Sequence, residues 1–181
     1  MFSWSYEEIP GIDPSIVEHE IWTYPDAKLV RQKLRPVNPR KAVAVKAEVE
    51  KMLKFGFIYP IDLTEWVSKH VPIDKNQGTI RVCTDFRDLN KACPKDNYPT
   101  PFIDQIIDAC AGSKVFLFMD GFSGYNHIQI KPEDQHKIAF ICPWGTFTYK
   151  KIPFGLKNAG LPFSEQWIFP FMISSLLSNP T

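Results

Sequence analysis

The chain has 181 residues, of which 44% are hydrophobic and 23% charged, and its formal net charge at pH 7 is +1. This length suffices for one domain with a hydrophobic core, and the composition is that of an ordinary globular protein. The small net charge excludes a uniformly polycationic protein, and the four cysteines and four histidines lack the spacing of a zinc site or a disulfide framework.

The chain also lacks the patterns of a targeting or membrane segment. Its start has no basic region followed by an apolar one, so we expect no cleavable secretory signal. The most apolar late stretch, residues 167–177, contains Pro170 and is too short to span a bilayer. We therefore expect a protein of the cytoplasm or the nucleus that has no membrane partner.

Residues 1–37 are rich in proline and aromatic side chains and show no steady hydrophobic period. Turn signals stand at Pro10-Gly11 and at residues 24–26. We interpret this segment as an extended arm or linker. A basic stretch begins inside it, because residues 28–54 hold nine lysines and arginines against two glutamates. Such a surface suits a phosphate backbone, and a solvated helix face beside a basic loop is the alternative.

Helix signals begin at residue 38. Asn38 can cap a helix, Pro39 suits its first position, and Gly56 can end it. Apolar residues recur on one face at helical spacing: they are Val45, Val49, Met52 and Leu53. Residues 57–59 continue as a short apolar segment.

Two strands are predicted next, over residues 67–73 and 79–85, with a hairpin turn at residues 76–78. A second helix is predicted from a cap at Thr100 to Gly112. Its buried stripe has four members: they are Ile103, Ile106, Ile107 and Cys110.

A fully apolar strand is predicted over residues 115–120, as expected at the centre of a sheet. Residues 126–130 then alternate, and residues 132–134 start a short helical turn. A hairpin is predicted from strands at 138–142 and 146–152. Because strands and helices are interleaved without regular β-α-β alternation, the sequence predicts an α+β architecture.

Asp120 is the residue with the clearest chemical signal. It ends the apolar run 115–119, and a carboxylate at the mouth of a buried strand is a typical ligand for a divalent metal. Two-metal phosphoryl transfer requires further carboxylates. After Asp134 the only acidic residue is Glu165, so the sequence predicts part of such a site. A strand-terminal aspartate that merely caps the next turn is the alternative.

Three blocks in order indicate a family. They are residues 81–91 (RVCTDFRDLNK), 118–125 (FMDGFSGY) and 152–159 (IPFGLKNA), with Trp-Gly-Thr at 144–146 between the last two. Their order and spacing resemble the reverse transcriptase of gypsy-type long-terminal-repeat retrotransposons, especially those of plants. The resemblance covers residues 4–160. Beyond Gly160 the sequence departs from the family pattern.

The resemblance implies the fingers and an incomplete palm of a right-hand polymerase. The chain would lack the Tyr-x-Asp-Asp hairpin, the thumb and the RNase H domain. We expect an arm at residues 1–37, fingers and partial palm at 38–160, and a divergent tail at 161–181. Two prolines interrupt the helix that the family carries after Gly160, and a degenerate element copy with a shifted reading frame is one hypothesis for the tail.

The resemblance also assigns site residues. Asp120 would be the first catalytic aspartate and a ligand of Mg²⁺. Tyr125 would lie under the ribose of the incoming nucleotide and exclude a 2′-hydroxyl, although an ordinary core tyrosine is the alternative. Arg81 and Lys75 would contact the triphosphate. Lys75 is the weaker match, because Asp74 stands where proline is common in the family, and a plain surface lysine is the alternative.

Phe154 and Gly155 match the loop beside the template base and the nucleotide, with a plain turn before a helix as the alternative. Gly155 would let the backbone approach closely. Asp85, Arg87 and Asn90 also match the family, and we interpret them as structural supports of the fingers.

The function implied is two-metal nucleotidyl transfer by an RNA-directed DNA polymerase of a Pol polyprotein, inactive in this chain alone. Its partners would be an RNA or DNA template-primer and a deoxynucleoside triphosphate, in cytoplasmic virus-like particles. The apolar strand 115–119 would lack its hairpin partner, so self-association through that edge is expected. The alternatives are a noncatalytic nucleic-acid-binding fragment that uses residues 28–54, and a nonfunctional relic.

Overall fold

The computed structural model describes residues 9, 11–75, 79–97, 102–112 and 124–160. Several predicted features lie outside the described residues: the hairpin turn at 76–78, the Thr100 cap, the strand at 115–120 with Asp120, and the tail at 161–181. The described elements confirm the mixed α+β architecture, since helices and strands are interleaved.

The strands and helices follow one another as short elements. The strands are β1 Glu18–His19, β2 Ile58–Pro60, β3 Ser68–Asp74, β4 Ile80–Thr84, β5 Gln129–Ile130, β6 Phe140–Cys142 and β7 Gly145–Tyr149. The α-helices are α1 Pro39–Lys54, α2 Arg87–Ala92 and α3 Ile103–Cys110. Among the described residues, two 3₁₀ helices span Gly124–His127 and Pro132–Ile138.

Among the described residues, five strands form one sheet in the order β2-β7-β6-β3-β4. The predicted hairpins are both present, as the antiparallel pairs β3–β4 and β6–β7. The two hairpins meet where Ser68 of β3 pairs with Phe140 of β6 in a parallel register. This parallel contact joins segments that are distant in sequence, so it was not predicted from local patterns.

Helix α1 begins as the sequence predicts. The Asn38 side chain accepts a hydrogen bond from the Arg40 backbone N–H at 3.0 Å, and Pro39 occupies the first turn. Val45 and Val49 are 1% and 3% exposed. The helix ends at Lys54 and Gly56 follows with φ of 68°, a conformation that glycine adopts readily.

The buried stripes of both predicted helices are narrower than the sequence indicated. Leu53 lies in the last turn of α1 and is 37% exposed. Ile107 of α3 is 61% exposed, because this eight-residue helix makes at most minor contacts with the other described elements. The Thr100 cap predicted for α3 lies outside the described residues.

The segment at residues 124–138 differs from the sequence prediction. Within the alternating stretch 126–130, residues 126–127 end a 3₁₀ helix, and the strand is limited to Gln129–Ile130. The predicted short helical turn at residue 132 extends to Ile138. Ile128, Ile130 and Ile138 are each fully buried, so the core takes up this segment although its backbone is irregular.

The arm is extended where it is described, and it packs against the domain. Strand β1 pairs with β5 in parallel. The Ile21 backbone N–H donates to Asp134 Oδ2 at 2.8 Å, and Lys131 Nζ lies 2.6 Å from Glu20 Oε2. Ile21 is 4% exposed. Apolar burial, main-chain pairing and an ion pair together hold this part of the arm in place.

His70 of β3 is buried without polar partners. Its ring centroid lies 4.1 Å from that of Phe140, and neither ring nitrogen has a hydrogen-bond partner among the described residues. Burial lowers the pKa of His70 from 6.5 to about 4. The pKa of His19 is likewise lowered to about 4 by burial, against the opposing charge of Asp134.

These depressed pKa values predict a pH-dependent stability. The unfolded chain takes up protons on His70 and His19 before the folded chain does, so the free energy of unfolding should fall as the pH drops from 6.5 to about 4. Each histidine contributes a slope of up to about 1.4 kcal/mol per pH unit. Urea denaturation at several pH values should show this slope, and His70→Phe should reduce it.

High salt separates this effect from that of surface carboxylates, whose ion pairs are screened. The difference between the two proteins in the slope of unfolding free energy against pH should persist in 1 M salt, roughly tenfold above ordinary ionic strength. Parallel pH profiles for the parent chain and His70→Phe would contradict the assignment.

Candidate nucleotide site

A cavity of about 600 Å³ opens beside the β3–β4 hairpin. Its walls come from α1, the β3–β4 hairpin, the 3₁₀ helix Gly124–His127, β7 and the loop after Ile152. The lining residues are Glu48, Lys51, Met52, Lys75, Thr79, Ile80, Arg81, Val82, Cys83, Thr84, Tyr125, Asn126, Tyr149, Pro153 and Phe154. Segments that are far apart in sequence, from Glu48 to Phe154, therefore meet around one space.

Among the cavity residues predicted for nucleotide contact, Phe154 contacts both Arg81 and Tyr125. The Arg81 guanidinium carbon lies 4.8 Å from the centroid of the Phe154 ring, a cation–π distance. The rings of Tyr125 and Phe154 meet edge to face, with centroids 6.5 Å apart and an interplanar angle of 68°. Arg81 is exposed, so its charge remains accessible from solvent.

Lys75 lines the same cavity from the end of the hairpin. Its backbone N–H donates to the Thr79 carbonyl at 2.8 Å, which closes the hairpin beyond β3 and β4. The preceding Asp74 lies 2.6 Å from Lys41 Nζ of α1. The acidic residue that departs from the family pattern is therefore paired with a lysine of the neighbouring helix.

Gly155 follows Phe154 with φ of 106°, a backbone conformation that residues with a side chain rarely adopt. Its carbonyl accepts a hydrogen bond from Asn90 Nδ2 at 2.8 Å. Asn90 Oδ1 in turn accepts from the Lys157 backbone N–H at 2.9 Å. The loop that carries Phe154 is thereby joined to helix α2.

The model of the family described as "Reverse transcriptase (RNA-dependent DNA polymerase)" matches residues 73–166, more than half of the chain. This chain belongs to the reverse transcriptase family. The match covers the end of β3, all of β4, the cavity residues Lys75, Arg81, Tyr125 and Phe154, and the undescribed segment with Asp120.

Relatives and solved structures agree with this family assignment. The chain is 34% identical over 128 residues to the Transposon Tf2-3 and Tf2-7 polyproteins of Schizosaccharomyces pombe, covering 71% of this chain and 10% of each polyprotein. It thus spans about a tenth of the curated relatives that it matches. These relatives are retrotransposon-type polyproteins, and the present chain corresponds to their reverse transcriptase domain.

The fold is similar to that of the prototype foamy virus protease-reverse transcriptase, with a TM-score of 0.68 and 20% identity over 84% of this chain and 20% of the viral one. A foamy viral protease-reverse transcriptase in complex with RNA/DNA hybrid gives a TM-score of 0.69 at 18% identity, over 84% and 20% of the two chains. The mixed fold described above is therefore a reverse transcriptase fold.

Asp120 lies outside the described residues, so no distance joins it to the cavity. In the part of the chain that the structure describes, no three His, Cys, Asp or Glu side chains are grouped to hold a metal ion. None of the helices described there is both long and apolar enough to cross a membrane.

The sequence analysis did not predict which residues form the floor of this cavity. Tyr149 of β7 lies there, and its hydroxyl is 2.9 Å from Thr84 Oγ1. Burial raises the pKa of Tyr149. From α1 come Glu48, Lys51 and Met52, at the i, i+3 and i+4 spacing that places side chains on one helix face. That helical spacing could have indicated that the three side chains share one face. The position of Tyr149 depends on the pairing of strands in the sheet, which local sequence patterns do not predict.

Asp85, Arg87 and Gln32 form a hydrogen-bonded corner beneath the β3–β4 hairpin. Asp85 accepts from Arg87 Nε and Nη2, each at 2.8 Å, and this pairing holds the pKa of the Asp85 carboxyl below its usual value. The Gln32 side chain donates to the Asp85 carbonyl at 3.2 Å and accepts from the Lys69 N–H at 3.1 Å. The contacts of Asp85 and Arg87 are those expected of structural supports.

The conformation of Gly155 leads to a stability prediction. A Cβ at this position would meet only Phe86 Cδ2 at 3.8 Å, so space is adequate and backbone strain is the main cost. Gly155→Ala should lower the free energy of unfolding by about 1–3 kcal/mol in urea denaturation. Gly160→Ala is the matched control, because a Cβ there meets nothing within 4 Å and φ is not in the left-handed region. Equal stabilities of the two variants would contradict the strain argument.

Proposed function

We propose that this reverse transcriptase domain comes from the Pol polyprotein of a gypsy-type, plant-like retrotransposon, and that its cavity binds the incoming deoxynucleoside triphosphate. The observation that carries the proposal is the meeting of Lys75, Arg81, Tyr125 and Phe154 around one space of about 600 Å³. The family motifs alone imply nucleotide contact for these four residues, and Gly155 adjoins them.

The charges of the cavity suit a triphosphate. Arg81 offers up to five N–H donors and Lys75 three, and both can bond phosphate oxygens with charge assistance. The Phe154 ring beneath the guanidinium limits its orientations, because the cation lies over one ring face. Arg81 is therefore partly preorganised for phosphate before any ligand arrives.

Aromatic side chains suit the other half of the ligand. Tyr125 and Phe154 present an edge-to-face pair beside Arg81, which offers an apolar wall to a sugar or a base. In the proposed complex Tyr125 lies under the ribose and excludes a 2′-hydroxyl by steric overlap. A wall built against the competing ligand gives specificity without adding affinity.

Mg²⁺ is the proposed cofactor, with Asp120 as its ligand. Carboxylate oxygens are the hard donors that this ion prefers, and the bound ion would offset charge on the transferring phosphates. The proposal rests on the chemistry of Asp120 and on the family, whose catalysis generally requires divalent metal. Catalysis with two metal ions requires further carboxylates, and Glu165 is the only acidic residue of the sequence after Asp134.

A noncatalytic nucleic-acid-binding role remains the second candidate. Lys41, Lys46 and Lys51 are paired with acidic side chains at 2.6–3.7 Å, which offsets part of the positive charge of α1. Arg31, Arg35 and the neighbouring basic side chains of the arm are exposed. Duplex binding whose affinity falls steeply with salt would favour this role. Ribosome footprints or peptides from the chain would argue against a nonfunctional relic.

The remaining assignments belong to the same proposal. We place an arm at residues 1–37, fingers and partial palm at 38–160, and a divergent tail at 161–181. The template-primer is the proposed macromolecular partner, and cytoplasmic virus-like particles are the proposed location. Self-association through the apolar strand 115–119 would appear as oligomers in size-exclusion chromatography.

Arg81 supplies the test of nucleotide binding. Arg81→Gln should weaken binding of Mg²⁺-dTTP by about tenfold or more, the loss expected when charge-assisted hydrogen bonds of about 1.5–3 kcal/mol are removed. Isothermal titration calorimetry measures this loss. Arg40→Gln is the matched control, because Arg40 is exposed on α1 and does not line the cavity. Equal affinity for Mg²⁺-dTTP in both variants would show that Arg81 does not contact the nucleotide.

Catalysis is tested separately from binding. The 181-residue chain should give no primer extension on a primed RNA template with Mg²⁺ and all four deoxynucleotides, because Asp120 alone cannot hold two ions at a fixed separation. A complete retroviral reverse transcriptase on the same template controls for the substrates. Clear extension by the chain would refute the inactive assignment and leave the binding proposal standing.

A further inference from the structure

Helix α2 is joined to the loop after Phe154 by a set of side-chain hydrogen bonds. Asn90, Lys157 and Asn158 make these bonds and are called the clasp here. Besides the two bonds of Asn90, Lys157 Nζ donates to the Cys93 carbonyl at 2.7 Å, and Asn158 Nδ2 donates to the Pro94 carbonyl at 3.0 Å. The clasp thus connects residues that are more than sixty positions apart in sequence.

Asn90 is the member of the clasp that bonds the backbone on both sides of Leu156. Its side-chain amide donates to the carbonyl of Gly155 and accepts from the N–H of Lys157. Both polar atoms of the amide therefore bond to the backbone of the same loop. The two partners also settle the orientation of the amide, since one is an acceptor and the other a donor. Aspartate lacks the donor and alanine lacks both groups, so no smaller or charged residue reproduces the pair.

Phe154 itself is not packed in the core, although Ile152 before it is fully buried and Leu156 after it packs against the core. Its side chain is 66% exposed, and the next residue is a glycine, which contributes no side chain to hold the loop. On the cavity side it contacts Arg81 and Tyr125, both of which are themselves partly or fully accessible. The first fixed point after Phe154 is the Gly155 carbonyl, which is bound to Asn90.

Helix α2, by contrast, is held independently of the clasp. Leu89 and Phe86 are 1% and 2% exposed, so the helix keeps its place through the core on one side. Asn90 is half-buried and projects from that fixed helix to the loop. A substitution at Asn90 should therefore release the loop while the core remains folded.

We propose that Asn90 is a positioning residue of the nucleotide site, which sets the Phe154 ring under Arg81 by holding the backbone at Gly155 and Lys157. This inference deepens the proposed function and rests on it for the ligand, a deoxynucleoside triphosphate. Asn90 touches no part of that ligand in the proposed arrangement. It acts through Phe154, whose ring limits the orientations of the Arg81 guanidinium.

The test uses the 181-residue chain and the variants Asn90→Asp and Asn90→Ala, with Asn97→Asp as the matched control. Asn97 is exposed on the segment beyond α2, and its substitution makes the same chemical change away from the loop. The first readout is the NMR shift of the Arg81 side-chain N–H. In the parent chain the Phe154 ring current should displace this resonance, because the two groups are 4.8 Å apart.

Both Asn90 variants should move the Arg81 resonance toward its random-coil position, while Asn97→Asp leaves it unchanged. The affinity for Mg²⁺-dTTP should fall by about tenfold in the Asn90 variants, the factor equivalent to one net hydrogen bond. Their thermal midpoints should stay close to that of the control. A merely structural role would lower the midpoint and leave the affinity of the folded fraction intact.

The two proposals fail in different ways. If the parent chain binds no dTTP, the nucleotide assignment is lost, and the Arg81 resonance alone then decides whether Asn90 positions the loop. If the resonance and the affinity are the same in all four proteins, the positioning role is overturned. Amide exchange in the parent chain requires no variant: the Lys157 N–H should be protected, and exchange at the unfolded rate would also overturn the inference.

Discussion

The packing of Phe140 is the interaction on which the cavity depends. Its ring lies 4.1 Å from that of His70 on β3 and 5.1 Å from that of Tyr149 on β7, measured between centroids. Phe140 is fully buried, and its strand is the one that joins the two hairpins of the sheet. Because Tyr149 extends from this cluster to bond Thr84, the core sets the cavity floor and the separation between β7 and β4. The residues proposed for nucleotide contact are thus positioned from within the sheet.

The charge distribution explains how a nearly neutral chain can hold an anion. On α1, Lys41 is paired with Asp74, and Lys51 lies 2.8 Å from Glu48 at the cavity wall. Arg81 instead has an aromatic ring as its neighbour, which orients the guanidinium without cancelling its charge. Ion pairs at the surface contribute little to stability. Here they limit positive charge at the helix and leave it concentrated at the hairpin.

Local patterns predicted those parts of the structure that depend on neighbours in sequence. The cap at Asn38 and both hairpins follow from short-range signals. The family resemblance implied five residues for nucleotide contact, and the structure brings four of them to one cavity. Long-range pairing was not predictable in this way. The β3–β6 junction, the docking of the arm on Asp134 and the place of Tyr149 all depend on contacts across the fold. The exposure of Ile107 was also not predictable from local patterns. Hydrophobic periodicity indicates which face of a helix can be buried, but it does not indicate which element covers that face.

Asn90 shows why a motif residue can matter without touching a ligand. A loop that carries an exposed aromatic residue and a glycine at φ of 106° has little local reason to keep one conformation. Binding then carries an ordering cost, which an anchor present before the ligand removes in advance. Helix α2 can provide that anchor because the core already holds Leu89, next to Asn90. The sequence from Asp85 to Asn90 therefore combines two tasks: Asp85 and Arg87 brace the hairpin that carries Arg81, and Asn90 braces the loop that carries Phe154. The Arg81 guanidinium and the Phe154 ring are therefore both positioned from residues 85–90, at the start of α2.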